Sequence, residues 1–213
     1  MFDNDKLLFS SKNEVSQVIQ MYNDYCEFLN NNQNGKEKQQ FQKIAKVMRE
    51  RIKERYFNPI NTFLNCCKDH PEQSGFIVMG INCILIELYF EMKEGLDNCN
   101  ESGNKVKDAY IEILHLIDPT ISEEIALIFY KNIRCKIIHQ GQTGAQTAIT
   151  FAPQIDSIII LNGEYYLCNP KTLFNKLTCL YDEYWRQLSK GENINQKKNF
   201  IKKIKYILFG REG

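Results

Sequence analysis

Apolar residues recur at helical intervals along most of the chain. Over residues 13–30, Val15, Val18, Ile19, Tyr22, Tyr25, Cys26 and Leu29 fall every three or four positions, the spacing that gathers side chains on one face of an α-helix. The run "NNNQNG" interrupts this pattern. A second helix is expected over 36–56, with Phe41, Ile44, Ala45, Val47, Met48 and Ile52 inward. Asn58 and Pro59 suit the opening of a short helix, because proline at the first helical position gives up no required amide bond. "DHPEQSG" then closes it. "FIVMGINCILIELYF", 76–90, is apolar all round and reads as a buried central helix.

The best-delimited helix is "TISEEIALIFYKNIRCKIIHQG". Pro119 separates it from the preceding segment, Thr120 or Ser122 can cap its free amides, Glu123 and Glu124 occupy its first turn, and Gly141 stops it. Ile125, Ile128, Phe129, Ile133, Ile137 and Ile138 are its expected packing stripe. Beyond Gly141 the pattern changes. Ile158–Leu161 and Tyr165–Leu167 flank Asn162-Gly163, a hairpin signal. Asn169 and Pro170 open another helix through Leu188, with Leu173, Leu177, Leu180, Tyr181, Tyr184 and Trp185 packed. The expected fold is mainly α: one helical domain over 1–213, carrying a small β-hairpin attachment at 155–168.

Composition adds limits. With 43% hydrophobic and 25% charged residues and a formal net charge of +1, the chain reads as a globular protein whose attraction to nucleic acid must come from local patches. Two such patches stand out. The helix at 36–56 carries Lys43, Lys46, Arg49, Arg51, Lys53 and Arg55, and the last segment interleaves Lys197, Lys198, Lys202, Lys203 and Lys205 with apolar residues. The 76–90 run is shorter than the roughly 20 residues of a bilayer-spanning helix, so no membrane association is expected. "MFDNDKLLFSSKNEV" lacks a signal segment, and most of the eight cysteines sit in apolar patterns as free thiols. A cytoplasmic setting is expected. The adjacent Cys66 and Cys67 have no spaced partners for a zinc site, and no phosphate loop or dinucleotide fingerprint occurs. No metal or cofactor is therefore called for.

Acid–base chemistry near neutrality rests on three histidines. His70 precedes a proline in a turn and reads as solvated; His115, between Leu114 and Leu116, reads as packed or at a helix boundary. His139 remains, five positions after Arg134 in "RCKIIH". Residues so spaced differ by roughly 140° around an ideal helix, so in one ideal helix the two do not point at the same atom. They can line a shared groove if the terminal turn distorts, or if a second copy packs across the helix and one side chain comes from each. Histidine suits proton transfer and arginine suits a non-bridging phosphate oxygen, the combination that metal-independent RNA cleavage needs. Cys135, at i,i+4 to His139, shares its side, and a Cys–His nucleophile lacks a third orienting residue. Glu87 is the odd charge in the apolar helix, suited to a helix edge, an internal network, the support of a basic site or a solvent-facing position.

The pattern Arg134-x4-His139, at the end of a capped helix that follows an apolar helix containing Glu87, resembles that of the HEPN superfamily, as do the strings "LIELYF" and "YKNIRCKIIHQ". The likeness covers residues 76–144. It implies a helical bundle that pairs two motif helices in a homodimer, often with metal-independent endoribonuclease activity in toxin–antitoxin, phage-defence or RNA-processing settings. Catalysis would then fall to Arg134 and His139, with Cys135, Glu87 and Gln140 as site support and Lys131, Lys136 and the C-terminal lysines as RNA contacts. An antitoxin or defence-system protein is an expected partner. Where the family commonly has a polar residue after the arginine, often asparagine, this chain has Cys135. The alternative is a noncatalytic interaction or RNA-binding module on the same helix pair.

Overall fold

Helix α4, Gly75–Glu94, is the element around which the others assemble in a computed structural model, described here for residues 2–3, 6–100, 105–152 and 156–210. Val78, Met79, Cys83, Leu85, Ile86 and Met92 are almost wholly shielded from solvent, each large aliphatic contributing on the order of 1.5–3 kcal/mol by leaving water. With the short 3-10 turn Pro71–Ser74 before it, the helical stretch Pro71–Glu94 is long and apolar enough to cross a membrane by length and composition. That is longer than the apolar run alone suggests, and 56% of its most apolar window is buried inside the protein. Asn82, fully buried, donates through Nδ2 to the Pro170 carbonyl at 2.8 Å, which explains a polar residue in this helix: it ties α4 to the start of α8, Pro170–Lys190.

Three short antiparallel strands precede the first helix: β1 (Phe2–Asp3), β2 (Lys6–Ser10) and β3 (Asn13–Glu14), in the order β1-β2-β3. Helical periodicity did not foretell them. α1 spans Val15–Asn30 and is closed by a capping box between Glu14 and Gln17. α2 (Asn34–Ile52) runs through a π turn (Lys53–Phe57) into α3 (Asn58–Cys66), so Pro59 continues a helix instead of opening a separate one. α5 (Val106–Ile117) packs on α4, and α9 (Ile194–Phe209) lies across α4 and α1. The aromatic side chains of α8 join the core: Tyr181 and Tyr184 are 2% exposed, and the Tyr181 hydroxyl donates to the Leu85 carbonyl at 2.8 Å.

The hairpin belongs to a larger sheet than expected. β5 (Ile159–Asn162) and β6 (Tyr165–Cys168) pair antiparallel, and β4 (Thr147–Ile149) adds in parallel to the other edge of β6. The turn sits one residue further on than Asn162-Gly163. Asn162 pairs with Tyr165 in the ladder, and Gly163, at φ +61°, takes the first loop position before Glu164, as glycine does in type II′ hairpins. Residue 155, the expected start of the attachment, lies outside the described residues.

Candidate functional site

The motif helix forms in three pieces: α6 (Glu123–Phe129), a π turn (Tyr130–Arg134) and α7 (Cys135–Gln140). Its ends follow the sequence signals. The Ser122 hydroxyl accepts from the Ile125 amide at 3.3 Å, and Gly141, at φ +65°, ends α7. The middle does not. The Cys135 amide donates to the Tyr130 carbonyl, an i→i+5 bond. Five residues in an α-helix advance past a full turn by roughly 140°, whereas the i→i+5 ladder makes them about one turn. Arg134 therefore falls beneath the buried Phe129 and points inward.

What Arg134 meets there is Glu87. Its Nε donates to Oε1 at 2.9 Å and its Nη2 to Oε2 at 3.3 Å, a fork whose side chains are 13% and 19% exposed. The buried Tyr110 hydroxyl donates to the same Oε1 at 3.0 Å. Burial alone would weaken the proton affinity of Arg134; the hydrogen bond and charge of Glu87 outweigh it and raise the pKa above the ordinary value. Burial, with Cys83 and Glu87 beside it, pushes the Tyr110 hydroxyl well above its usual range, so it serves as a donor. Glu87 thus stands in an internal network, and its partner Tyr110 carried no sequence signal beyond a hydroxyl on an apolar helix face.

α7 runs antiparallel to α4. Glu87 faces Arg134, and two turns earlier on α4 Gly80 leaves room for Ile137, whose Cγ2 lies 3.9 Å from where a Cβ would stand. Ile138, expected to pack, is instead 47% exposed, because the π turn hands the inward position to Ile137. On α4, Ile77 and Ile84 share the side of the helix that carries Gly80 and are 53% and 43% exposed. This leaves aliphatic surface beside the motif that none of the described residues covers.

His139 is exposed on the last turn of α7. The π turn ends at Arg134, and α geometry resumes at Cys135, so the two motif side chains remain spread around the axis: one chain holds Arg134 inward and His139 outward. Cys135 is half-buried and acts on Tyr130, whose hydroxyl is raised by burial first and by the Cys135 hydrogen bond second. Gln140 and Lys131 are exposed, and Lys136 is half-buried. "GQTGAQT" is a pinned loop: the Gly144 amide donates to the Asn132 carbonyl at 2.7 Å, and the Thr143 hydroxyl to the Thr147 carbonyl at 2.8 Å. A helix carbonyl ordinarily bonds the amide four residues on, so this outside donor at Asn132 fits the slack of the π turn.

The other candidate residues lie apart from this site. Lys203 is 4% exposed and paired with Glu91 at 2.8 Å; Lys197 pairs with Glu37 at 2.6 Å. Lys205 is half-buried, which leaves Lys198 and Lys202 exposed on α9. His70 is solvated beside Glu72 at 3.3 Å, and His115, at the end of α5, places Nδ1 3.0 Å from the Ile121 carbonyl. Among the described residues no group of three His, Cys, Asp or Glu side chains could hold a metal ion. Comparison of the chain with protein-family models, curated proteins and solved structures finds no match.

Proposed function

We propose that this protein is a metal-independent endoribonuclease of HEPN-like type, with a composite site completed between two copies. The observation that carries the reading is the pairing of an outward His139 with the uncovered aliphatic surface of Ile77, Ile84 and Ile138 next to it. A second copy buries that surface and brings its own His139 across. Glu87 occupies the Nε and one Nη2 hydrogen of Arg134; in this reading the remaining Nη1 hydrogens of that inward side chain, 13% exposed, meet a phosphate oxygen seated at the seam between the copies. His139 of one copy accepts the ribose 2′-hydroxyl proton as the 2′-oxygen attacks phosphorus. The P–O5′ bond then breaks, and His139 of the other copy protonates the 5′-oxygen. The products are a 2′,3′-cyclic phosphate and a 5′-hydroxyl.

A noncatalytic dimer module is the second reading, supported by the same fork: a half-buried Arg–Glu pair can exist for packing alone. The two separate in chelator. Purified protein should cleave single-stranded RNA to cyclic-phosphate ends, and His139→Ala should cost at least about a hundredfold in rate with an unchanged unfolding curve, since the side chain is exposed. Failure to find cyclic-phosphate ends across a broad RNA panel, with a folded dimer in hand, selects the noncatalytic reading. Ile84→Asp should give a folded, inactive monomer; a monomeric and fully active wild type would end the composite site.

A further inference from the structure

The basic run on α2, unused by the ribonuclease reading, divides in the fold into two sets. Arg51 donates to the Phe9 carbonyl at 2.7 Å with its guanidinium 4.4 Å over the Phe9 ring, and Arg55 reaches the Leu8 carbonyl at 3.4 Å. These two hold β2 against the helix. Lys43, Lys46, Arg49 and Lys53 are exposed elsewhere on the helix, and the three lysines form no ion pair among the described residues.

Gln42, Lys46, Arg49 and Lys53 stand at i, i+4, i+7 and i+11, a single stripe along α2 into its π turn. Across from it α8 presents Thr178, Asp182, Trp185 and Ser189 at the same spacing. Between the stripes lie two cavities, about 250 Å³ beside Phe41, Ala45 and Trp185, and about 130 Å³ beside Phe57, Tyr181 and Trp185. Trp185, the only tryptophan in the chain, borders both. The Arg49–Asp182 ion pair, 3.2 Å long with side chains 44% and 55% exposed, bridges the two helices there.

We propose that this groove binds single-stranded RNA, with phosphates along Lys46, Arg49 and Lys53 and a base in the larger cavity beside Trp185. A row of cations beside an apolar hollow suits an unpaired strand: charge follows the backbone, and the hollow takes a flat ring against the exposed edge of Trp185, which is otherwise buried at 6% exposure. The larger cavity has room for a single base and is smaller than sites for drug-sized ligands. A duplex keeps its bases stacked out of reach of such a hollow, and an acidic peptide brings a flat group only where an aromatic residue interrupts its charges, whereas every nucleotide of an unpaired strand carries both. Phosphate competes with Asp182 for Arg49, so binding opens the bridge. The choice of RNA over DNA rests on the ribonuclease reading; binding itself does not require His139 to act.

The test uses Trp185 emission as a reporter at the site. His139→Ala protein, which leaves RNA intact under the ribonuclease reading, is titrated with oligouridine. Saturable quenching is expected, as is several-fold tighter binding for Asp182→Asn, which frees Arg49. In Lys46→Gln/Lys53→Gln the salt dependence, log Kd against log salt, should flatten by about 1.4, at ~0.7 for each single-strand phosphate that a lysine no longer neutralises. Lys68→Gln/Lys107→Gln, exposed and away from this groove, should bind as the parent does. An unresponsive Trp185 emission, or an unchanged salt slope in the α2 double variant, overturns the proposal. So does equal binding by duplex RNA or by polyglutamate, the latter placing an acidic protein partner here instead. Because binding is read without cleavage, its failure and the failure of the ribonuclease reading are separate results.

Discussion

Lys53–Phe57 and Tyr130–Arg134 are both π turns between α-helical segments, yet only the first has a local cause. Pro59 follows it. Proline brings no amide to the carbonyl four residues back, here Arg55, and its ring collides with that carbonyl in a regular helix. Widening the preceding turn relieves both, and the Asn58 amide bonds Lys53 instead. No proline or glycine lies within 120–140. There the extra residue is sustained by what it meets: Glu87 for Arg134, Gly80 for Ile137, and the Gly144 amide for the Asn132 carbonyl. A widened turn that the chain demands is a packing accommodation. One that only distant contacts hold re-aims side chains, and here it carries the motif arginine into the protein while leaving the motif histidine outside.

The strongest way to break this contrast is Arg134→Ala. It strands a mostly buried carboxylate, so unfolding free energy should fall by about 3–5 kcal/mol in urea titrations. A loss below about 1 kcal/mol would match an exposed ion pair and leave the second π turn without its support. Next comes Gly144→Ala. Its new Cβ would stand 2.8 Å from the Asn132 side chain, an overlap expected to cost about 1–3 kcal/mol and to unpin the loop after His139, visible as faster amide exchange at residue 144. Gly35→Ala, in the first turn of α2 where a Cβ meets nothing within 4 Å, is the control and should melt no lower than the parent, since alanine favours the helix.

The smallest expected effect sharpens the comparison from the side of the first π turn. Hydrogen bonds from the Ser11 hydroxyl and amide hold the Glu54 carboxyl below its ordinary value. A depressed folded pKa stabilises above the unfolded value and is lost as pH falls through the folded one. The Ser11 amide's protection, its exchange rate set against the free-chain rate at the same pH, should therefore hold near neutrality and fall below about pH 4, with Glu54→Gln removing that pH dependence. Equal acid sensitivity in Glu54→Gln would detach the N-terminal strands from this turn.

Much of the helical framework was legible because it is local. Ser122, Gly141 and Asn169 do what their types do at helix ends: the Asn169 side chain accepts from the Lys171 and Thr172 amides, and Gly141 takes the left-handed conformation. The hairpin was legible as a strand pair, but its turn moved by one residue. An Asn-Gly signal scores turn preference alone, while the register is set by pairing with β6, which also carries β4. The strands before α1 were missed because they are short and exist by pairing with one another.

At the site, the residues were legible and their directions were not. Periodicity treats Lys202 and Lys203 alike, yet one is exposed and the other is buried against Glu91 on α4. It marks Ile137 and Ile138 as one stripe, yet the first packs on Gly80 and the second faces solvent. It likewise joins six cations on α2 and the π turn after it, of which Arg51 and Arg55 belong to β2 while Lys46, Arg49 and Lys53 line the α8 side.

The sequence by itself determined where helices begin and end and which side of each is apolar, since caps, breakers and the 3.6-residue repeat act within a few positions. Only the tertiary structure decided which way Arg134 points. A π turn without a proline has no local signature, and its cost is met by contacts among residues far apart in the chain. The same holds for the pairing of each buried charge, because a carboxylate in low dielectric takes whichever cation the packing brings within reach.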